Sequence, residues 1–504
     1  MTKRHRVCRC SLCLWAGSTI LVAFLWWASA PSVSGTPPVP VSAPHPFPGQ
    51  QGDQGLTTSQ STSQPAAANS ARYTGALSCA ATACHGLAAV PNIDSRAGSE
   101  YVFWLERDPH ARAGDALSSP GGLAMLEQLG IVRDGRVVDA RGLANCEACH
   151  NPRPAEGQRF DSYTASGEGV SCEACHGAAE RWRTVHYRPG ISRVQLIELG
   201  MTDTKDLATR AKLCAGCHVA GRGEVNHDLI AAGHPALKFE LSAWHAIYPK
   251  HWDGERERQR WPDLDWQLWC FGQRAALEAV ARQTLARAQD LQRPWPELAE
   301  WDCYACHHDL SWPSWRQERG YSSRRPGAMF WNLWYRRWVS LSYPPDEQGK
   351  AVDGLIDQLA ELFAQKTVPD RQQVAQQSKE LVDALAQMPH QLPDRAAVAA
   401  VLRSRLVSGE TSQLPVDKEE WDSCAQLYLM LRAYAGTKSN SDGGSEQPAQ
   451  ALRILHQALA FDPGQNSPGS FDAVQEDVAV RRRQVRAQVE ALVRSLLTDA
   501  EVSR

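Results

Sequence analysis

Apolar residues in this chain recur mostly at helical spacing. In VDGLIDQLAELF (352–363) they fall at Val352, Leu355, Ile356, Leu359, Leu362 and Phe363, steps of three and four that line one face of a helix. Similar stretches recur around 370–388, 394–407, 418–435, 449–461 and 473–497. Residues 346–504 therefore read as a helical bundle or a helical cap. Upstream, LDWQLWCFGQRAALEAVARQTLARAQDLQ (264–292) reads as one long helix. The strict alternation that a half-buried strand needs is scarce, so the fold class expected is mainly α with little strand.

The pattern breaks at the N-terminus. Lys3, Arg4, Arg6 and Arg9 precede the apolar run SLCLWAGSTILVAFLWWASA (11–30). A basic leader followed by about 20 apolar residues is an export signal or a single membrane anchor. Ala28-Ser29-Ala30 resembles a small-residue cleavage site, although Pro31 would follow the cut. On either reading the bulk of the chain leaves the cytoplasm, for the periplasm or the outer side of the cytoplasmic membrane. Residues 31–72 are rich in Pro, Ser, Gln, Gly and Thr, cannot bury a core, and read as a disordered linker. The formal net charge of −3 gives no reason to expect a nucleic-acid partner.

Composition changes the picture through two residue types. Of 15 cysteines, the eleven between Cys79 and Cys306 all fall in close pairs except Cys270, and 14 of 18 tryptophans lie between Trp104 and Trp338. The cysteine pairs repeat one phrase. CEACH stands at 146–150 and again at 172–176, CAGCH at 214–218, CYACH at 303–307, and a longer version, CAATACH, at 79–85. At this chain's own frequencies about 0.01–0.02 C-x-x-C-H matches would arise by chance, against four present.

Two cysteines at that spacing can add across the two vinyl groups of one haem as thioethers, and the following histidine is then held over the iron as its proximal ligand. The longer spacing between Cys79 and Cys84 requires only a wider loop. Structural zinc uses Cys pairs without a histidine directly after the second one. A disulfide framework suits an exported protein but gives the histidine no purpose. The expected cofactor is haem c, five covalently attached groups. They are held by Cys79 and Cys84, Cys146 and Cys149, Cys172 and Cys175, Cys214 and Cys217, and Cys303 and Cys306. The proximal ligands are His85, His150, His176, His218 and His307. Cys270 and Cys424 stay outside this scheme and read as buried apolar residues.

Methionine is scarce between 73 and 345, at 125, 201 and 329 only, whereas seven further histidines lie there. Bis-histidine ligation is therefore expected, which implies low potentials. The distal candidates are His110, His186, His227, His234 and His251. His245 competes with His251 for the fifth place, and His308, directly after a proximal ligand, reads as a hydrogen-bonding residue. In HDLIAAGH (227–234) a helix would put both imidazoles on one face, roughly 10 Å apart along the axis, so that each reaches a different iron. Pro235 is expected to end that helix. The tryptophans are expected to pack against porphyrin faces.

These motifs resemble the multihaem cytochrome c family of the cytochrome c-552/c-554 type. The resemblance is carried by SCAATACHG (78–86), SCEACHG (171–177), HDLIAAGHP (227–235) and WPELAEWDCYACHHDL (295–310). It covers about 73–345 and implies a mostly helical fold around closely stacked haems, exported and used for electron transfer. The named carrier of that family has four haems, one without a distal protein ligand, whereas this chain offers five sites. The expected organisation is a leader or anchor (1–30), a linker (31–72), a pentahaem cytochrome c domain (73–345) and a helical C-terminal domain (346–504). The expected function is electron transfer along a chain of bis-histidine haems, with redox proteins as donor and acceptor. The alternatives are a multihaem enzyme acting on a small nitrogen compound at a five-coordinate haem, and a conduit subunit of a larger redox complex. No C-x-x-C-K variant is present to favour the enzyme.

Overall fold

The computed structural model describes residues 71–88, 97–154, 158, 168–303, 306–307, 329–406, 421–436, 446–460 and 487–493, all within one compact unit, Gln64–Arg504. The leader expected at 1–30, nearly all of the linker and His308 lie outside these residues. Among the described residues no helix is long and apolar enough to cross a membrane. Helix dominates, and the only sheet among these residues is a two-residue hairpin pairing Val132–Arg133 with Arg136–Val137.

The helix read from LDWQLWCFGQ onward runs from Leu264 to Gln289 and organises the molecule. One side, with Leu264, Leu268, Leu277, Val280 and Ala281, joins a core that draws on Leu207–His218, Glu347–Gln365 and Arg371–Ala386. Another side, with Trp266, Trp269 and Cys270, joins a second core built with Arg395–Leu406, Trp421–Gly436 and Glu446–Leu459. A helix buried on opposite sides carries apolar residues nearly all round, which is why its sequence shows no single stripe. The first core takes residues from both sides of position 345, reaching from Leu207 to Met388. In Glu347–Gln365 the expected face is the buried one, with Val352, Ile356, Leu359 and Phe363 inward. Cys270 and Cys424 are both buried in the second core.

The region carrying the first three Cys-pair-His motifs is built differently. Between 71 and 200 the described residues gather into only two small apolar clusters, Ala76/Trp104/Ala111 and Leu126/Ile131/Val132, with Cys172 packed against the first and Cys146 against the second. So little buried apolar surface is poor compensation for the chain entropy lost in ordering this segment. What orders it instead is polar. Glu173, inside the 172–176 motif and 3% exposed, accepts hydrogen bonds from the backbone N–H groups of Thr74, Gly75 and Ala179 at 2.7–3.0 Å. That carboxylate ties the chain on either side of two motifs together. Gly177 follows the motif histidine at φ +79°, where a Cβ would lie 2.6 Å from the carbonyl of Gly200, so the tight turn requires glycine.

Candidate haem-binding site

Four of the motif histidines end a helical turn that carries their own cysteines. Ala140–His150, Cys172–His176 and Leu207–His218 all terminate on the motif histidine. In the last motif the N–H of His307 donates to the carbonyl of Cys303 at 2.8 Å. Helical turn geometry puts both cysteines and the histidine on neighbouring positions of one surface.

The first motif departs from this plan. Cys79 ends the 3-10 turn Ala76–Cys79, and Cys84 lies on a separate turn beyond it, where its N–H donates to the carbonyl of Ala81 at 2.8 Å. Cys84 is exposed, while Cys79 is half-buried with its thiol 3.7 Å from the Ser78 hydroxyl. Its two sulfurs are therefore not presented on one helical surface as in the other sites. The two extra residues between the cysteines make the wider loop that the spacing requires, and they separate Cys84 from the turn that holds Cys79.

Each of the five motif histidines faces one other histidine. The ring centroids of His85 and His186 are 6.0 Å apart, those of His110 and His218 6.0 Å, His150 and His234 6.2 Å, His176 and His251 6.2 Å, and His227 and His307 6.3 Å. A metal–nitrogen bond of about 2 Å on each side places two trans imidazole centroids about 6 Å apart, whereas tetrahedral sharing of one ion would bring them to about 5 Å. The spacing thus fits a six-coordinate iron midway between two imidazoles. Among the described residues no group of three or more His, Cys, Asp or Glu is placed to hold a metal ion.

Ligation requires neutral imidazole, and burial favours that form at four of these histidines, whereas the hydrogen bond to Glu100 raises His85. Burial pushes His176 down to about 4, with His251 and His85 adding to it. Burial also pushes His218 down to about 4, with smaller contributions from His110 and His150. His234 and His251 are lowered, in both cases chiefly by burial.

The backbone around four of the distal candidates explains where they sit. His110 sits in the 3-10 turn Pro109–Arg112, whose N-cap Asp108 accepts from the His110 backbone N–H at 2.9 Å. His186 closes a turn through its N–H to the carbonyl of Trp182, at 2.9 Å. His227 opens a five-residue helix, His227–Ala231, capped by Asn226, and its own N–H donates to Glu297 Oε1 at 2.9 Å. Here the structure corrects the sequence reading. The helix does not extend to His234, and Pro235 does not end it. Gly233, at φ +112°, donates to Ile230, and His234 N–H donates to Leu229, the paired bonds of a Schellman stop. His234 therefore lies past the helix end, and the two imidazoles still reach different partners, His307 and His150.

His245 pairs with none of the motif histidines. It is buried beside Glu257 at 3.3 Å and Arg210 at 3.2 Å, and Trp252 Nε1 donates to the same carboxylate at 2.8 Å. The tryptophans divide in the same way. Trp182, Trp244 and Trp252 touch His186, His218 and His251, while Trp266, Trp269 and Trp331 are fully buried protein core.

Contacts between cysteines show which sites adjoin. Cys79 and Cys172 lie close enough for their thiols to interact, which brings the first and third sites together in chain order, and Cys149 and Cys217 do the same for the second and fourth. Cys175 lies within electrostatic reach of Cys214, linking third and fourth. Two residues without a motif signal position the fifth pair. Arg287, on the Leu264–Gln289 helix, bonds Glu224 and the carbonyl of Val225 just ahead of His227, and also bonds Glu300 just ahead of Cys303. Such long-range tethers leave no local pattern in the sequence.

No curated protein and no solved structure matches the chain. Residues 78–177, which hold the first three Cys-pair-His sites together with His110, match the family model described as cytochrome c554 and c-prime, a match over about a fifth of the chain that supports a c-type cytochrome of the c-554 type.

Proposed function

We propose that this chain is an exported pentahaem cytochrome that passes electrons between redox proteins through five bis-histidine haem c groups. The observation that carries the reading is the set of five histidine pairs, each joining one motif histidine to one non-motif histidine at 6.0–6.3 Å. Haem c, when bound, supplies one-electron chemistry. The chain supplies the paired sulfurs for thioether attachment, two imidazoles per iron, and close spacing between neighbouring sites. The cysteine contacts support an order first–third–fourth–second, and the segment His227–His234, with one imidazole for the fifth site and one for the second, extends it to the fifth. That order differs from the order of the motifs in the chain.

A second imidazole at every iron leaves no coordination position for a substrate, which favours a carrier over an enzyme. The basic leader and the apolar run support export to the periplasm or attachment to the outer side of the cytoplasmic membrane. The test is carbon monoxide binding to the purified, dithionite-reduced protein. A carrier of this kind leaves the reduced spectrum unchanged on mixing. Fast binding at one haem per molecule would instead make that haem a reaction site.

A further inference from the structure

An axial histidine has a second ring nitrogen, and what that nitrogen donates to tunes the iron. A carboxylate acceptor makes the imidazole a stronger electron donor and stabilises the ferric state. A neutral carbonyl does so less, and no acceptor least. The histidine pairs differ sharply in this respect. His85 Nδ1 donates to Glu100 Oε2 at 2.9 Å, and the same oxygen accepts from the Gly98 N–H, which fixes it. His110 Nδ1 donates to Asp108 Oδ1 at 2.9 Å. Asp108 is 2% exposed, and its other oxygen accepts from the Tyr248 hydroxyl at 2.5 Å. At the second site both partners are carbonyls, Ala113 for His150 and Pro235 for His234. At the third site Nδ1 of His176 and Nδ1 of His251 are both buried and have no hydrogen-bond partner among the described residues.

We infer that Glu100 and Asp108 are positioning residues that, through the Nδ1 hydrogens of His85 and His110, hold the first and fourth irons at lower potential than the third, whose ligands His176 and His251 donate to no carboxylate. This rests on the pentahaem reading. Because the third site adjoins both the first and the fourth, a more easily reduced position is flanked on two sides by harder ones, and an electron shared among these three settles there. Two effects at the third site oppose each other. Asp108 and Glu100 act on His251 from a distance, and the Arg210 guanidinium counters them. Neither replaces the missing hydrogen bonds. A low-dielectric surrounding also disfavours the extra positive charge of the ferric iron.

The experiment is an optical and EPR redox titration of the five-haem protein and four variants. Glu100→Gln and Asp108→Asn keep an acceptor oxygen and remove the charge. Each is expected to raise the midpoint of one low-potential component while all irons stay low-spin. Tyr248→Phe removes a donor that competes for Asp108, leaves more carboxylate charge on His110, and is expected to lower the midpoint of the component that Asp108→Asn raises. His251→Ala is expected to remove a component more positive than the two that the carboxylate variants raise and to make one iron high-spin. Unmoved midpoints in both carboxylate variants, a shift in the same direction for Tyr248→Phe, or loss of a low-potential component in His251→Ala would each overturn the inference. A wild-type protein with fewer than five haems, or with a high-spin iron, would instead defeat the pentahaem reading itself.

Discussion

Glu300 is the buried pin between the central helix and the fifth site, and its removal has a magnitude that follows from its partners. It is 1% exposed and accepts from Arg287 Nη1 at 2.9 Å, the Thr284 hydroxyl at 2.8 Å and Trp331 Nε1 at 2.9 Å. Breaking a buried ion pair from one side costs about 3–5 kcal/mol. Arg287 keeps Glu224 and the carbonyl of Val225, so the low end, about 3 kcal/mol, applies to that bond. Thr284 lies within a helix and can turn its hydroxyl to a carbonyl one turn back, whereas the Trp331 indole N–H is left buried and unpaired at a cost of about 1 kcal/mol or more. Glu300→Ala should therefore destabilise the protein by about 4 kcal/mol. Glu300→Gln, which keeps an acceptor of the same shape, should cost about 1–2 kcal/mol. The assay is guanidinium unfolding followed by far-ultraviolet circular dichroism, with the denaturant slope held equal between variants. An alanine variant within about 1 kcal/mol of the parent would refute this account of the pin.

Three further outcomes follow from the site. His227→Ala and His234→Ala should each convert one low-spin iron to high-spin, and the double variant two, because their partners are His307 and His150; unchanged magnetic spectra in both single variants would return these residues to a packing role. The ring planes are 12° and 21° apart in the His85/His186 and His227/His307 pairs and 75–88° apart in the other three, so low-temperature EPR should resolve two classes of low-spin iron in a ratio of two to three, and a single uniform class would contradict the geometry. Burial raises the Glu257 carboxyl, but hydrogen bonding to His245 and the Arg210 charge outweigh it and lower it from 4.5 to about 2. A carboxyl depressed in the folded state stabilises the fold above its unfolded value and loses that contribution as pH falls through the folded one. The stability gap between parent and Glu257→Gln should thus stay constant above about pH 5 and shrink from there down to about pH 2; a gap that does not narrow in acid would show that the charge contributes nothing.

Much of this architecture was written locally and could be read locally. The long helix expected over 264–292 spans Leu264–Gln289, and the C-terminal helices expected at 370–388 and 394–407 run over Arg371–Ala386 and Arg395–Leu406, since three-to-four periodicity is a property of neighbouring residues. The Cys-pair-His phrases were equally plain, because thioether attachment demands fixed spacing. The pairing was not. His110 meets His218 across more than a hundred residues, and nothing in either segment names the other. In 227–234 the apolar content suits a helix, but Gly233 adopts a backbone conformation that stops one before Pro235 could. The tethers escaped for the same reason as the pairing. Glu100, Arg287 and Glu300 are ordinary charged residues until the fold brings a partner to them. Asp108 alone left a faint signal, two residues ahead of His110, where a side chain can reach its neighbour's ring.

The central claim, five haems each gripped by two histidines, is tested most directly by intact mass of the mature protein together with quantitative low-temperature EPR on the same sample. The account predicts a mass exceeding the apoprotein by five haems, retained through acid–acetone extraction, and ferric irons that are all low-spin. A mass with four haems, which would mean that Cys79 and Cys84 do not both attach, or stoichiometric zinc in place of haem, or one high-spin iron per molecule would contradict it.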